Sequence, residues 1–164
     1  MKKVLALMIL CLVLVGCGAK EEPKGPQKND DMNNTVWIAT DKSEMIFDET
    51  SFNWYRDEGV YSDNYYGGTF EYYRGTDAVK FITTELSQYG VTESELQKLF
   101  ERNEKYSEDN FVVFNLVYNE VVMSGENITP ERPLVPWYGF ILEDGTVLDV
   151  VNMNTGTYYT FTKK

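Results

Sequence analysis

WYGFILEDGTVLDVVNMNTGTYYTFT, residues 137–162, decides the fold. It contains strand-length runs at 137–143, 147–153 and 157–162, rich in β-branched and aromatic residues. Asp144-Gly145 is a two-residue hairpin signal between the first two runs, and Asn154-Thr155-Gly156 makes a turn into the third. Strands joined by turns this short pair with their sequence neighbours, so the segment reads as part of an antiparallel meander.

The same pattern extends toward the N-terminus. A loop with Pro130, Pro133 and Pro136 precedes the segment. Before the loop, 111–118 places Val112, Phe114, Leu116 and Tyr118 on one face, and 120–123 is expected to pair back across a tight turn at Asn119. At the front, 36–40 and 44–47 flank Asp41-Lys42-Ser43, a compact hairpin turn. Residues 52–56 and 66–74 follow, with Gly67-Gly68 marking a bulge or a sharp bend in the second.

Between 76 and 104 the period changes from two to that of a helix. Ala78, Phe81, Ile82, Leu86 and Tyr89 recur at helical spacing, with Thr76 as a cap and Gly90 as a stop. Thr92-Glu93-Ser94-Glu95 matches a capping box, and Leu96, Leu99 and Phe100 continue an apolar stripe. Helices are therefore expected at 77–89 and 93–104, packed against the body of the domain. About nine strands around a two-helix insertion make the chain mainly β (α+β), an antiparallel barrel or a strongly curled sheet of eight to nine strands. Curling into a barrel removes the exposed edges such a sheet would otherwise have.

The early Trp37, the meander and the helical stretch together resemble the lipocalin-like barrels of small bacterial lipoproteins, over residues 35–164. The chain departs from true lipocalins in two places. Thr35 stands where they carry a glycine two residues before the tryptophan, and the helices lie mid-chain instead of near the end. DNYYGGTFEYYRG (63–75) and LEDGTVLDVVNMNTGTYYTFTKK (142–164) are similar to segments of Gram-positive lipoproteins, a resemblance that implies no particular activity.

The N-terminus reads as a secretory signal. Lys2 and Lys3 precede an apolar run of 12 residues, 4–15, too short to span a membrane as a helix. Leu14-Val15-Gly16-Cys17 resembles the lipobox of bacterial lipoproteins. That resemblance implies processing enzymes that attach a diacylglyceryl group to the Cys17 thiol and cut between Gly16 and Cys17. It places the mature protein on the extracytoplasmic face of the cell membrane. Residues 17–34 are expected to be the lipidated cysteine and an unfolded tether, being charged and poor in large apolar side chains.

Loss of residues 1–16 leaves 13 of the 15 basic residues against 26 acidic ones, a formal charge of −13. Such a surface repels nucleic acid. The chain has no histidine, and Cys11 leaves with the signal while Cys17 is lipidated. Ser-His-Asp, Cys-His and thiolate chemistry are excluded, and the commonest zinc ligand is missing.

Carboxylates remain. Glu71 and Asp149 sit within strands and are the pair to watch for glycan hydrolysis in the cell envelope, the alternative reading. Asp57-Glu58 and Asp63-Asn64 come nearest to a calcium loop but lack its spacing, so no metal and no cofactor are expected. Aromatic side chains carry the main expectation. Tyr65-Tyr66, Tyr72-Tyr73 and Tyr158-Tyr159 each put one ring on either face of a strand, and an outward ring is available for binding. Trp54, Tyr66, Tyr72, Tyr138 and Tyr158 are the candidate contact residues. The expected function is a non-enzymatic binding module for an envelope protein or a small amphiphile.

Overall fold

The computed structural model describes residues 25–131 and 134–164. Its strands are β1 (Thr35–Ala39), β2 (Glu44–Phe47), β3 (Ser51–Asp57), β4 (Val60–Arg74), β5 (Phe111–Met123), β6 (Glu126–Asn127), β7 (Leu134–Leu142), β8 (Val147–Asn152) and β9 (Tyr158–Lys163). All pairings are antiparallel, in the order β4-β3-β2-β1-β9-β8-β7-β5, and β4 pairs with β5 to close the ring. The fold is a closed eight-stranded barrel, lipocalin-like in architecture, with β6 as an extra strand against the end of β5.

Alternation fills the barrel. Trp37, Met45, Phe47, Phe52, Phe70, Tyr72, Phe114, Leu116, Trp137, Leu148, Val150 and Phe161 are all buried in one interior cluster. A second cluster lies outside β4, β5 and β7, where Tyr73, Phe111, Val113, Phe140 and Leu142 meet the helices. Helix α1 (Thr76–Thr84) contributes Ala78, Phe81 and Ile82, and α2 (Glu93–Arg102) contributes Leu96. The helical insertion thus packs on the outer wall, and both faces of these strands are apolar as a consequence.

The capping box forms as expected. The Thr92 hydroxyl accepts from the Glu95 N–H at 3.3 Å, and the Glu95 carboxylate accepts from the Thr92 N–H at 3.0 Å. Gly90 ends the turn Ser87–Tyr89 in the left-handed conformation. Thr76 is not a cap: Gly75 holds that position, and the Thr76 hydroxyl donates to Glu108 at 2.6 Å.

Three local expectations are corrected. No turn occurs at Asn119; β5 runs on to Met123, and the reversal is at Ser124-Gly125 into β6. Asn119 is instead the extra residue of a bulge opposite Gly67 and Gly68, which pair with Glu120 and Tyr118. The bulge shifts the phase of the strand by one, so that Tyr118 and Val121 both face the interior. A Cβ on Gly68 would collide with the Val117 carbonyl, which is why glycine is needed here. The Asp144-Gly145 connection is also wider than a two-residue turn. Leu142 pairs with Val147, and Glu143, Asp144 and Gly145 all have positive φ, closed by the Thr146 N–H on the Leu142 carbonyl at 3.1 Å.

The third correction concerns the tether. The expected signal peptide, Gly16, Cys17 and residues 18–24 lie outside the described residues, but 27–34 pack on the barrel. Met32 is 0% exposed within the interior cluster. The Asn29 N–H donates to the Tyr72 carbonyl at 2.8 Å, Lys28 pairs with Glu71, and Asp31 pairs with Arg74. These contacts place the segment across the end of the barrel where β1 begins and β4 finishes. One large apolar residue, Met32, anchors what composition alone reads as unfolded.

Candidate functional site

With one end sealed by the Met32 segment, the opposite end is the mouth. There β3 and β4 bring Trp54 and Tyr66 together, β5 brings Tyr118, and β9 brings Tyr159. Pairing places Trp54 directly opposite Tyr66, and Val150 opposite Tyr159. The rings form a connected cluster. Trp54 stacks on Tyr66 at 5.1 Å, meets Tyr159 edge-on at 5.3 Å, and meets the deeper Trp137 edge-on at 5.3 Å. Tyr66 and Tyr118 lie 5.1 Å apart, and Trp137 stacks on Tyr159 at 5.1 Å.

This cluster divides the mouth into two lobes of about 300 and 270 Å³, both lined by Trp54, Tyr66, Thr157 and Tyr159. One lobe adds Asp41, Ser43 and Arg56 from the neighbouring turns; the other adds Tyr118 and Asn152. The Trp54 indole N–H is buried without an acceptor among the described residues. Asn152 accepts the N–H groups of Asn154 and Thr155 through Oδ1, which leaves its amide NH₂ unused among the described hydrogen bonds. Burial, next to Tyr66 and Tyr159, pushes the Tyr118 phenol well up, so it remains a neutral donor and acceptor. Rings, hydroxyls and an amide converge, and none of these groups is a proton-transfer pair.

The expected contact residues separate. Trp54 and Tyr66 are at the mouth. Tyr72 faces the interior at the sealed end and is 1% exposed, its hydroxyl buried and unpaired among the described residues, its pKa raised by burial. It is a core residue. Tyr138 is on the outer wall in a groove with Val91 and Leu96 beside the helices. Tyr158 is outward on β9, 57% exposed, with its hydroxyl on Asp149 and Thr160. The outward ring of the Tyr72-Tyr73 pair is not free either: Tyr73 lies under Phe81, ring centroids 4.0 Å apart, and burial beside Glu71 pushes its phenol to about 12.

No family model, curated protein or solved structure matches this chain. The site is therefore read from its own geometry.

Glu71 and Asp149 do not form a pair. They face outward on β4 and β8, three strand spacings of about 4.8 Å apart across the sheet and four residues apart along β7, roughly 19 Å in all. Each is occupied. Glu71 meets Lys28 and accepts from Asn115 at 3.1 Å; burial pushes its carboxyl up, but these partners outweigh it and the pKa is lowered. Asp149 accepts from Thr160 at 2.8 Å and from Lys105 at 3.3 Å. The acidic loop is likewise dispersed: Glu58 pairs with Lys164, and Asn64 accepts the Ser124 N–H at 2.9 Å. Among the described residues no group of three or more acids is placed to hold a metal ion.

A larger depression, about 610 Å³, lies elsewhere, between Arg74, Lys105 and the loop 143–145. Its cations are held by Asp31 and Asp149, and no unpaired buried donor faces it among the described residues. Tyr159, Tyr118 and Asn152 are the mouth residues that sequence reasoning passed over. A signal for Tyr159 was present: it shares a strand face with Phe161, whereas Tyr158 shares one with Thr160 and Thr162.

Proposed function

We propose that this protein is a lipid-anchored, non-enzymatic binding module on the extracytoplasmic face of the cell membrane, and that its ligand is held at the barrel mouth. The observation that carries the reading is the cluster of Trp54, Tyr66, Tyr118 and Tyr159 around two lobes, with a buried indole N–H that has no acceptor among the described residues. The Trp54 ring itself borders both lobes. The interior below is packed with Trp37, Phe47, Phe52, Tyr72 and Phe114, all at 1% exposure. A ligand therefore sits in the mouth and not deep in the barrel.

The lipid anchor rests on the resemblance around Cys17, and the fold is compatible with it. The chain reaches the barrel at its sealed end, so an anchor at Cys17 leaves the mouth on the opposite side. The test of the anchor is Cys17→Ala, which abolishes lipid labelling and membrane retention of the processed form; continued retention overturns it. The test of the site is capture: the purified full chain, denatured and analysed by mass spectrometry, or used as bait on envelope extract, yields a ligand or partner that Tyr159→Ala loses. Capture unaffected by that change places binding elsewhere.

An envelope protein as the partner is favoured by one observation. The β3–β4 hairpin folds against Lys42 and Glu44 of the neighbouring β1–β2 hairpin, leaving Val60 and Tyr61 more than half exposed, and Tyr61 packs on Tyr55 at 4.7 Å. On that reading Tyr61→Ala, and not Tyr159→Ala, removes the captured protein.

A further inference from the structure

Resting on the mouth-binding reading above, we propose that the ligand class is an uncharged pyranose saccharide and neither a fatty-acyl amphiphile nor a flat aromatic molecule. Several features of the mouth distinguish these classes.

A fatty acyl chain needs an apolar tunnel of its own length. Below the mouth the barrel is filled by Trp37, Trp137 and Phe161, each 1% exposed or less, so a chain has nowhere to go. A flat aromatic ligand needs a slot between parallel rings. The stacked pairs here, Trp54 on Tyr66 at 5.1 Å and 28° and Trp137 on Tyr159 at 5.1 Å and 6°, are already closed on themselves, with no gap for a third ring.

What the mouth does offer suits a ring with apolar C–H faces and a girdle of hydroxyls. Tyr66 and Tyr159 are only half-buried and border both lobes. Around them stand groups with unused capacity among the described hydrogen bonds: the Trp54 N–H, the Asn152 amide and the Tyr118 hydroxyl. Donors and a hydroxyl that can also accept line the same lobe, as a polyol can use and a hydrocarbon cannot. A lobe of about 270–300 Å³ suits one such ring.

Charge selects against the anionic members of the class. The expected mature chain carries a formal −13, and Asp41 stands at the mouth beside Arg56. Polyanionic glycans and phosphate-bearing polymers are repelled at long range, whereas neutral or N-acetylated sugars are not. The same mouth opens at the end away from the incoming N-terminal segment, so a polymer outside the membrane is within its reach and bilayer lipid is not.

The test uses the full chain in lipid nanodiscs, titrated with chitotriose, maltotriose and sodium palmitate and followed by tryptophan fluorescence and NMR of the aromatic side chains. One of the trisaccharides is expected to bind with a Kd on the order of 1 mM, shifting Trp54 and Tyr159, and to weaken at least about tenfold in Tyr159→Ala. Asn152→Asp keeps the Oδ1 acceptor that holds the 152–155 turn while deleting the amide donor. It weakens the saccharide without unfolding the barrel, which its circular dichroism checks. Palmitate shifting the same residues while neither saccharide does overturns the ligand class and leaves the mouth reading standing. A saccharide that binds equally well to Tyr159→Ala and Asn152→Asp overturns both. No response to any of the three, with capture of a protein by the Tyr61 hairpin, overturns the mouth reading itself.

Discussion

The Trp37 indole N–H donates to the Thr35 hydroxyl at 2.9 Å, and that hydroxyl donates in turn to the Met32 carbonyl at 2.5 Å. Thr35 opens β1, two residues before Trp37. Here its side chain links the first strand of the barrel to the segment that seals it, and both residues are buried.

Thr35→Val keeps the shape and removes the hydroxyl. The Trp37 N–H is then buried without an acceptor, and stability falls by about 1–3 kcal/mol. Urea denaturation measures the loss. A midpoint equal to wild type would mean that water or a local shift replaces the hydroxyl.

Met32→Ala removes a side chain with no exposure from the sealed end. The expected cost is about 2–5 kcal/mol. Hydrogen exchange should report local opening of the Asn29 amide and of the neighbouring ends of β1 and β4 before global unfolding. If the segment were an unfolded tether, the same change would leave the midpoint unmoved.

Gly68→Ala and Gly67→Ala separate packing from strand propensity. At Gly68 the new methyl meets the Val117 backbone, which cannot give way, and the expected loss is about 1–3 kcal/mol or more. At Gly67 it meets the Asn53 Oδ1 at 3.1 Å, the movable end of a side chain, and the loss stays under about 1 kcal/mol. Thermal melts of the two variants rank them; equal effects would count against the bulge as described.

Glu44 supplies a pH dependence. Burial pushes its carboxyl up, but the Gly59 N–H, the Tyr61 hydroxyl and Lys164 outweigh burial and lower it below its ordinary 4.5. A carboxyl with a depressed folded pKa adds stability that is fully present above the unfolded value. That stability disappears as pH falls through the folded value. Glu44→Gln is therefore less stable than wild type at neutral pH, and the gap closes below about pH 4. A constant gap across that range would show that the carboxylate charge is not what matters.

The sequence by itself determined the meander, the two helices with the Thr92–Glu95 capping box, and the chemistries that a chain without histidine cannot perform. Each of these is a local property, set by residue type and spacing. Alternation showed which side chains share a face. It did not show which face is inside on β4, β5 and β7, because α1 and α2 cover the outer wall and make both faces apolar. For that reason the Tyr72-Tyr73 pair reads as having one outward, available ring, yet both rings are buried. The shape of the site was decided by tertiary structure alone. Barrel closure depends on the β4–β5 and β1–β9 pairings, the seal on Met32, and the mouth on Trp54, Tyr66, Tyr118 and Tyr159 arriving from four strands. Those contacts join residues as far apart as Trp37 and Lys163, and no local pattern encodes them.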